Sequence, residues 1–168
     1  MRLLYFLSVW LHIIAAAIWV GGMIFLSAVV VPLLRHPEIQ PHRSRLISLL
    51  GLRFRVIGWV ALTTLLVTGL YNIFARGFTL QDALSGSLWE GEFGRTLVEK
   101  LFTFVIIILL SAAHDFWVGP KVSLLAQKGN SAELERWRKA ASWLGRINLL
   151  LALLMVAFGV MLVRGHPF

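Results

Sequence analysis

Residues 3 to 34, LLYFLSVWLHIIAAAIWVGGMIFLSAVVVPLL, run without one formally charged side chain. About twenty apolar residues suffice to cross a hydrocarbon core, where a helix can satisfy its own backbone hydrogen bonds in the absence of water. The stretch therefore predicts a transmembrane helix with length left over for tilt or protrusion. It fits a cleaved leader poorly. Arg2 alone supplies a basic region, the apolar run is too long, and small residues gather only at Ala15 to Ala17. The whole chain shares this character: of 168 residues, 58% are hydrophobic and 14% charged, which excludes an ordinary soluble domain.

Three more apolar runs follow, at about 56–75, 97–118 and 143–163. Together they predict an all-α integral membrane protein: a four-transmembrane-helix up-down bundle forming one membrane domain over residues 1–168, with the lipid bilayer as its first partner. The second span is rich in small and hydroxyl residues (Gly58, Thr63, Thr64, Thr68, Gly69), which favour close helix packing, and each hydroxyl can bond its own backbone. Between spans, LISLLGL at 46–52 reads as a short amphipathic surface piece. TLQDAL at 79–84 reads as a helical turn capped by Thr79. Gly119–Pro120 is expected to stop the third span. Gly129–Asn130 should break the third loop, with Ser131 capping a helix that continues into the fourth span.

A net charge of +8 could suggest nucleic acid, but the position of the charges argues against it. Arg35, Arg43, Arg45, Arg53 and Arg55 crowd the first loop, and Lys121, Lys128, Arg136, Arg138, Lys139 and Arg146 the third. The opposite side carries only Arg2, Arg76, Arg95, Lys100 and Arg164, spread over three segments. This bias places loops one and three in the cytoplasm and both termini outside, with no nucleic-acid partner implied. The chain has no cysteine, so any metal chemistry must use histidine, methionine, carboxylates or a cofactor. No phosphate loop, nucleophile elbow or metalloprotease motif is present.

The polar residues inside the spans are therefore the candidates. His12 shares a helix face with Trp19 and Met23, seven and eleven residues on, while Gly21 and Gly22 would let another backbone come close. An ionisable residue at membrane depth is a functional candidate by default, although a neutral imidazole can also simply bond a neighbouring helix. Trp19 and Met23 alone are ordinary packing residues.

Depth follows from about 1.5 Å of rise per residue. Taking span middles near residues 18, 66, 110 and 153, His12 and Asn72 fall roughly 9 Å outward, Met161 about 12 Å and Lys100 around 15 Å. Met23, His114 and Asn148 fall roughly 6 to 8 Å inward. Asp115 should point about 100° away from His114, toward Arg146 or Arg55. His12 and His114 differ by about 15 Å in depth, too much for two axial ligands of one haem. Histidine with methionine suits Cu(I) or haem iron, giving two expected layers, His12 with Met161 and Met23 with His114. His36 and His42, each beside a proline, match no ligand spacing and read as surface residues.

Several stretches carry a family resemblance. LHIIAAAIWVGGMIF in the first span, HDFWVGPK in the third and LGRINLLLALLMVAFGVMLVRG in the fourth resemble the CopD-like (copper resistance D) membrane protein superfamily. The resemblance implies a periplasm-facing bundle of the bacterial inner membrane that handles copper, with both termini periplasmic and His12 and His114 as the residues carried over. This chain is far shorter than full copper-resistance D proteins, and it lacks their soluble partner domain and any methionine-rich motif. His12 and Lys100–Leu101 also resemble the HemJ-type protoporphyrinogen oxidases. That likeness implies haem b or a porphyrin, with His12 as axial ligand, Trp19 beside it, and Lys100 or Arg95 on the propionates. Three function classes follow: copper handling through His12, His114, Met23 and Met161; a haem or porphyrin redox protein; and an accessory subunit with a membrane or periplasmic protein partner.

Overall fold

The computed structural model describes residues 2–128 and 131–165, without the Ser131 side chain. The expected break at Gly129–Asn130 and the Ser131 cap thus lie outside the described residues. Four helices are long and apolar enough to cross a membrane: Arg2–Leu33, Gln40–Ala75, Gly91–Lys128 and Ala132–Arg164. Among the described residues there is no strand, and the all-α four-span architecture is as expected.

The helices run further than hydrophobicity alone suggests. At about 1.5 Å per residue each is roughly 48 to 57 Å long, against a hydrocarbon core of about 30 Å. The excess lies mostly at the end carrying the first and third loops, here called the loop end; the other is the terminal end. Residues 46–52 are not a separate surface piece but part of one continuous helix, Arg43–Ala75. The loop-end extensions touch: Arg138 donates to Ser44 Oγ at 3.4 Å, and the Lys121 ammonium lies 5.8 Å from the Trp137 ring centre.

Gly119–Pro120 does not stop the third span. The helix widens to π geometry over Ala113–Val118 and resumes as Gly119–Lys128. The Gly119 N–H bonds back to the His114 carbonyl, five residues earlier. A proline in a regular helix clashes with the carbonyl four residues before it, here that of Phe116. The wider turn relieves that conflict and lets the span continue. A side chain at Gly119 would begin 3.2 Å from the His114 oxygen, which is why the position is tight for anything larger. The first span repeats the device, with a π turn at Leu26–Val30 and Pro32 two residues later.

The core is a single apolar cluster of Ala15, Trp19, Met23, Ala61, Leu62, Phe104, Ile107 and Ala152, drawn from all four spans. Ile107 and Ala152 are 0% exposed. Trp19 lies against the bare face of Gly58, its Cδ1 3.8 Å from where a Cβ would stand. The two glycines after it act differently from the expectation. Gly22 is filled by the Phe54 ring rather than by a backbone, and Gly21 has nothing within 4 Å.

At the terminal end, the short helix Leu80–Ser85 carries the expected Thr79 cap as a full capping box. Asp82 N–H donates to Thr79 Oγ1 at 3.2 Å, and Thr79 N–H donates to Asp82 Oδ2 at 2.7 Å. The hydrogen bonds from Thr79 hold the Asp82 carboxyl below its ordinary range.

Candidate functional site

Two polar sites interrupt the apolar interior, one toward each end. At the terminal end, Thr68 on the second span donates its hydroxyl to the Thr64 carbonyl at 2.6 Å, the self-bonding expected of a hydroxyl residue in a helix. Its oxygen is then an acceptor for His12 Nδ1, 2.8 Å away on the first span. With the Thr68 proton given to Thr64, this bond fits an Nδ1–H imidazole, and Nε2 takes no part in it. Ser8, one turn before His12, donates to the Thr68 carbonyl at 3.4 Å. Gly69 opens the space for the imidazole: a Cβ there would sit 3.4 Å from His12 Cε1.

Lys100 on the third span completes this level. Its ammonium reaches the fourth span, 3.7 Å from where a Cβ on Gly159 would stand. Met161, two residues beyond Gly159, lies about 200° round that helix. Met155, four residues before Gly159, is on Lys100's side and packs against the core. Arg95 is exposed, and the arginine that faces Lys100 is Arg76. Sequence reasoning missed Arg76, because it stands just past the apolar run and reads as an end-of-span charge.

At the loop end the site is built around the π turn. Asp115 accepts from His114 Nδ1 at 2.9 Å through one oxygen and from Trp59 Nε1 at 3.1 Å through the other. Of the two arginines toward which Asp115 was expected to point, Arg55 meets this residue, though not its carboxylate. Arg146 lies over the Trp143 ring, and Arg55 donates instead to the Asp115 backbone carbonyl at 3.3 Å. Arg55 also sits 5.8 Å from the Phe116 ring centre, and Phe116 contacts Trp59. An ionised carboxylate can only accept, so His114 Nδ1 is the donor in this pair, and Nε2 takes no part in it. The His114 side chain is 41% exposed and that of Asp115 19%. One turn earlier, Ser111 accepts from Asn148 Nδ2 at 3.0 Å, uniting the third and fourth spans at this level. Trp59 gave no functional signal in the sequence, where it reads as one more apolar residue.

Both imidazoles thus have Nδ1 engaged by a neighbouring side-chain oxygen, Thr68 Oγ1 in one case and Asp115 Oδ1 in the other. Met23 and Trp19, the other predicted residues, are both buried in the apolar core. Among the described residues, no group of three or more histidine, aspartate or glutamate side chains is arranged to hold a metal ion.

Comparison with known proteins places this architecture. The family described as copper resistance protein D matches residues 49–163, which takes in the second to fourth spans with Lys100 and His114. An uncharacterized protein of Aquifex aeolicus (strain VF5) is 35% identical over 162 residues, covering 95% of this chain and 96% of its own. No solved structure gives a significant match. With the match spanning three of four membrane helices, the chain belongs to the copper resistance protein D family, and is a multi-pass membrane protein of it.

Proposed function

We propose that the protein handles monovalent copper as cargo within the bilayer, binding it transiently through His12 toward the terminal end and His114 toward the loop end. The observation that carries this reading is the shared engagement of Nδ1 in the two histidines. Thr68 and Asp115 each meet Nδ1, and in the neutral Nδ1–H ring Nε2 holds the lone pair that a soft cation needs. Between them lie the buried thioether of Met23 and that of Met155 against the core, soft donors suited to Cu(I). Met161 is a further thioether near the terminal end. The donor set suits passage better than storage, since each level offers one imidazole. Lysine and arginine counts orient the loop end toward the cytoplasm of a bacterial inner membrane, with both termini periplasmic.

The test is competition for Cu(I) between a chromogenic chelator and the detergent-purified protein. His12→Ala and His114→Ala should each weaken binding while leaving the helical spectrum unchanged. Equal affinity in wild type and both variants would sink the reading.

A second reading draws on the Lys100 ammonium, for which the described residues offer no carboxylate partner. His12 Nε2 with Lys100 and Arg76 nearby fits a haem b or porphyrin, the imidazole taking the iron and the cations the propionates. The group would supply electron transfer. A Soret band on protein expressed with haem, lost in His12→Ala, would favour this reading, and a colourless protein that binds Cu(I) would remove it.

A further inference from the structure

The terminal end holds two cations against one turn of the fourth span. The Lys100 ammonium meets Gly159, 3.7 Å from where a Cβ would stand, and Arg76 donates from Nη1 to the Leu162 carbonyl at 3.5 Å. Gly159 and Leu162 are three residues apart, on one side of the helix and about 4.5 Å along it. Like charges set together at the edge of a bilayer are costly without a counter-ion. Yet among the described residues neither has an acidic partner: the ion pairs there are His114–Asp115 and Arg138–Glu135, both elsewhere.

Two features show that Arg76 is placed rather than free. Its guanidinium lies 5.4 Å from the Phe93 ring centre, and Phe93 stacks on Phe78 at 5.4 Å, giving the arginine an aromatic wall. One turn before Arg76, the buried Asn72 Oδ1 has no hydrogen-bond partner. Snorkelling to the headgroups would account for a lysine whose ammonium points outward. It does not account for one turned onto a glycine of the neighbouring span.

We propose that Arg76 and Lys100 form an oxyanion-binding site at the terminal end, taking a phosphate or carboxylate group as their missing counter-ion. Arg76 supplies the forked donor and Lys100 the inner point charge. Binding relieves the repulsion between the two cations, so the site is coupled to the stability of the bundle. The proposal is independent of copper at His12; in the porphyrin reading the same two cations would be taken by the propionates, and added phosphate would then give no rise.

Two sources of the group are distinguished by thermal unfolding followed through tryptophan fluorescence. The probes are inorganic phosphate added to protein in neutral detergent, and nanodiscs of phosphatidylglycerol compared with phosphatidylcholine. Saturating anion should raise the midpoint by about 5 °C in wild type. A rise with phosphate identifies a free anion; a rise with phosphatidylglycerol alone identifies a lipid headgroup. Lys100→Gln should abolish the rise and also raise the anion-free midpoint, because it removes an uncompensated charge. Arg76→Gln should reduce the rise, while Arg45→Gln at the loop end should leave it intact. No rise with either probe, or a rise that survives in both Lys100→Gln and Arg76→Gln, overturns the proposal.

Discussion

The two polar sites reach one chemical state by different routes. At the terminal end, His12 and its partner Thr68 are fifty-six residues apart, and the second span must pack on the first for the bond to exist. At the loop end, the partner is the next residue, Asp115, and a local distortion of the helix accompanies the pairing. The terminal site rests on a neutral hydroxyl near cations that have no acidic partner among the described residues, the loop site on a carboxylate braced by an indole N–H. A tautomer lock therefore needs no particular residue. It needs an acceptor whose own proton is absent or already committed.

That comparison can be broken most severely at Asp115. Asp115→Leu strips the acceptor from both His114 and Trp59 and should cost about 2 kcal/mol in unfolding measurements, since it orphans two donors. Asp115→Asn, which keeps an acceptor, should cost less. Thr68→Val should cost about 1 kcal/mol and free His12 to change tautomer, while Thr68→Ser restores the lock. Nitrogen-15 NMR of the histidine rings reads both outcomes. An Nε2–H form of His12 in the wild type would show the assignment to be wrong.

The two π turns sharpen the comparison further. Pro120→Ala removes the clash that the turn relieves, so regular helix can return and rotate His114 relative to Trp59. Pro32→Ala should leave both histidines untouched, because its turn bears no polar site. If the two variants shift the His114 ring signals equally, the π turn has no special role in placing the dyad. The smallest effect belongs to a segment remote from either site. Thr79→Ala should cost about 1 kcal/mol through the lost cap. Because Asp82 is held below its ordinary carboxyl range, the cap's contribution is complete above about pH 4 and fades as pH falls through the lower folded value. Thermal midpoints measured downward from pH 7 would therefore draw closer for wild type and variant at the acid end, the remaining gap being the bond from Asp82 N–H to the Thr79 hydroxyl.

Much of the site was legible in the sequence because membranes make polar residues conspicuous. His12, Lys100, His114 and Asp115 stand out in runs whose one further charge is Glu99. Thr68 was visible as a hydroxyl residue but not as a partner. Trp59 and Arg76 were hidden, one by looking apolar and the other by standing where a span-end cation is ordinary. Gly22 illustrates the same limit: the sequence supplied a gap, and only packing decided that the Phe54 ring would fill it.

By itself, the sequence determined that the chain enters the bilayer four times as helices, because unpaired backbone groups are too costly in hydrocarbon for any other single-chain solution of this pattern. It also determined the residues available for chemistry, since the absence of cysteine leaves imidazole, thioether and carboxylate. Tertiary structure decided which of them meet. Depth along a span follows from rise per residue, but contact between spans depends on rotation and on the small residues that permit close approach. Those are properties of pairs of helices, and no single run of sequence contains them. The continuation of the third span through Gly119–Pro120 belongs to the same class. The local rule predicts a stop, and the widened turn with its surrounding packing keeps the helix going.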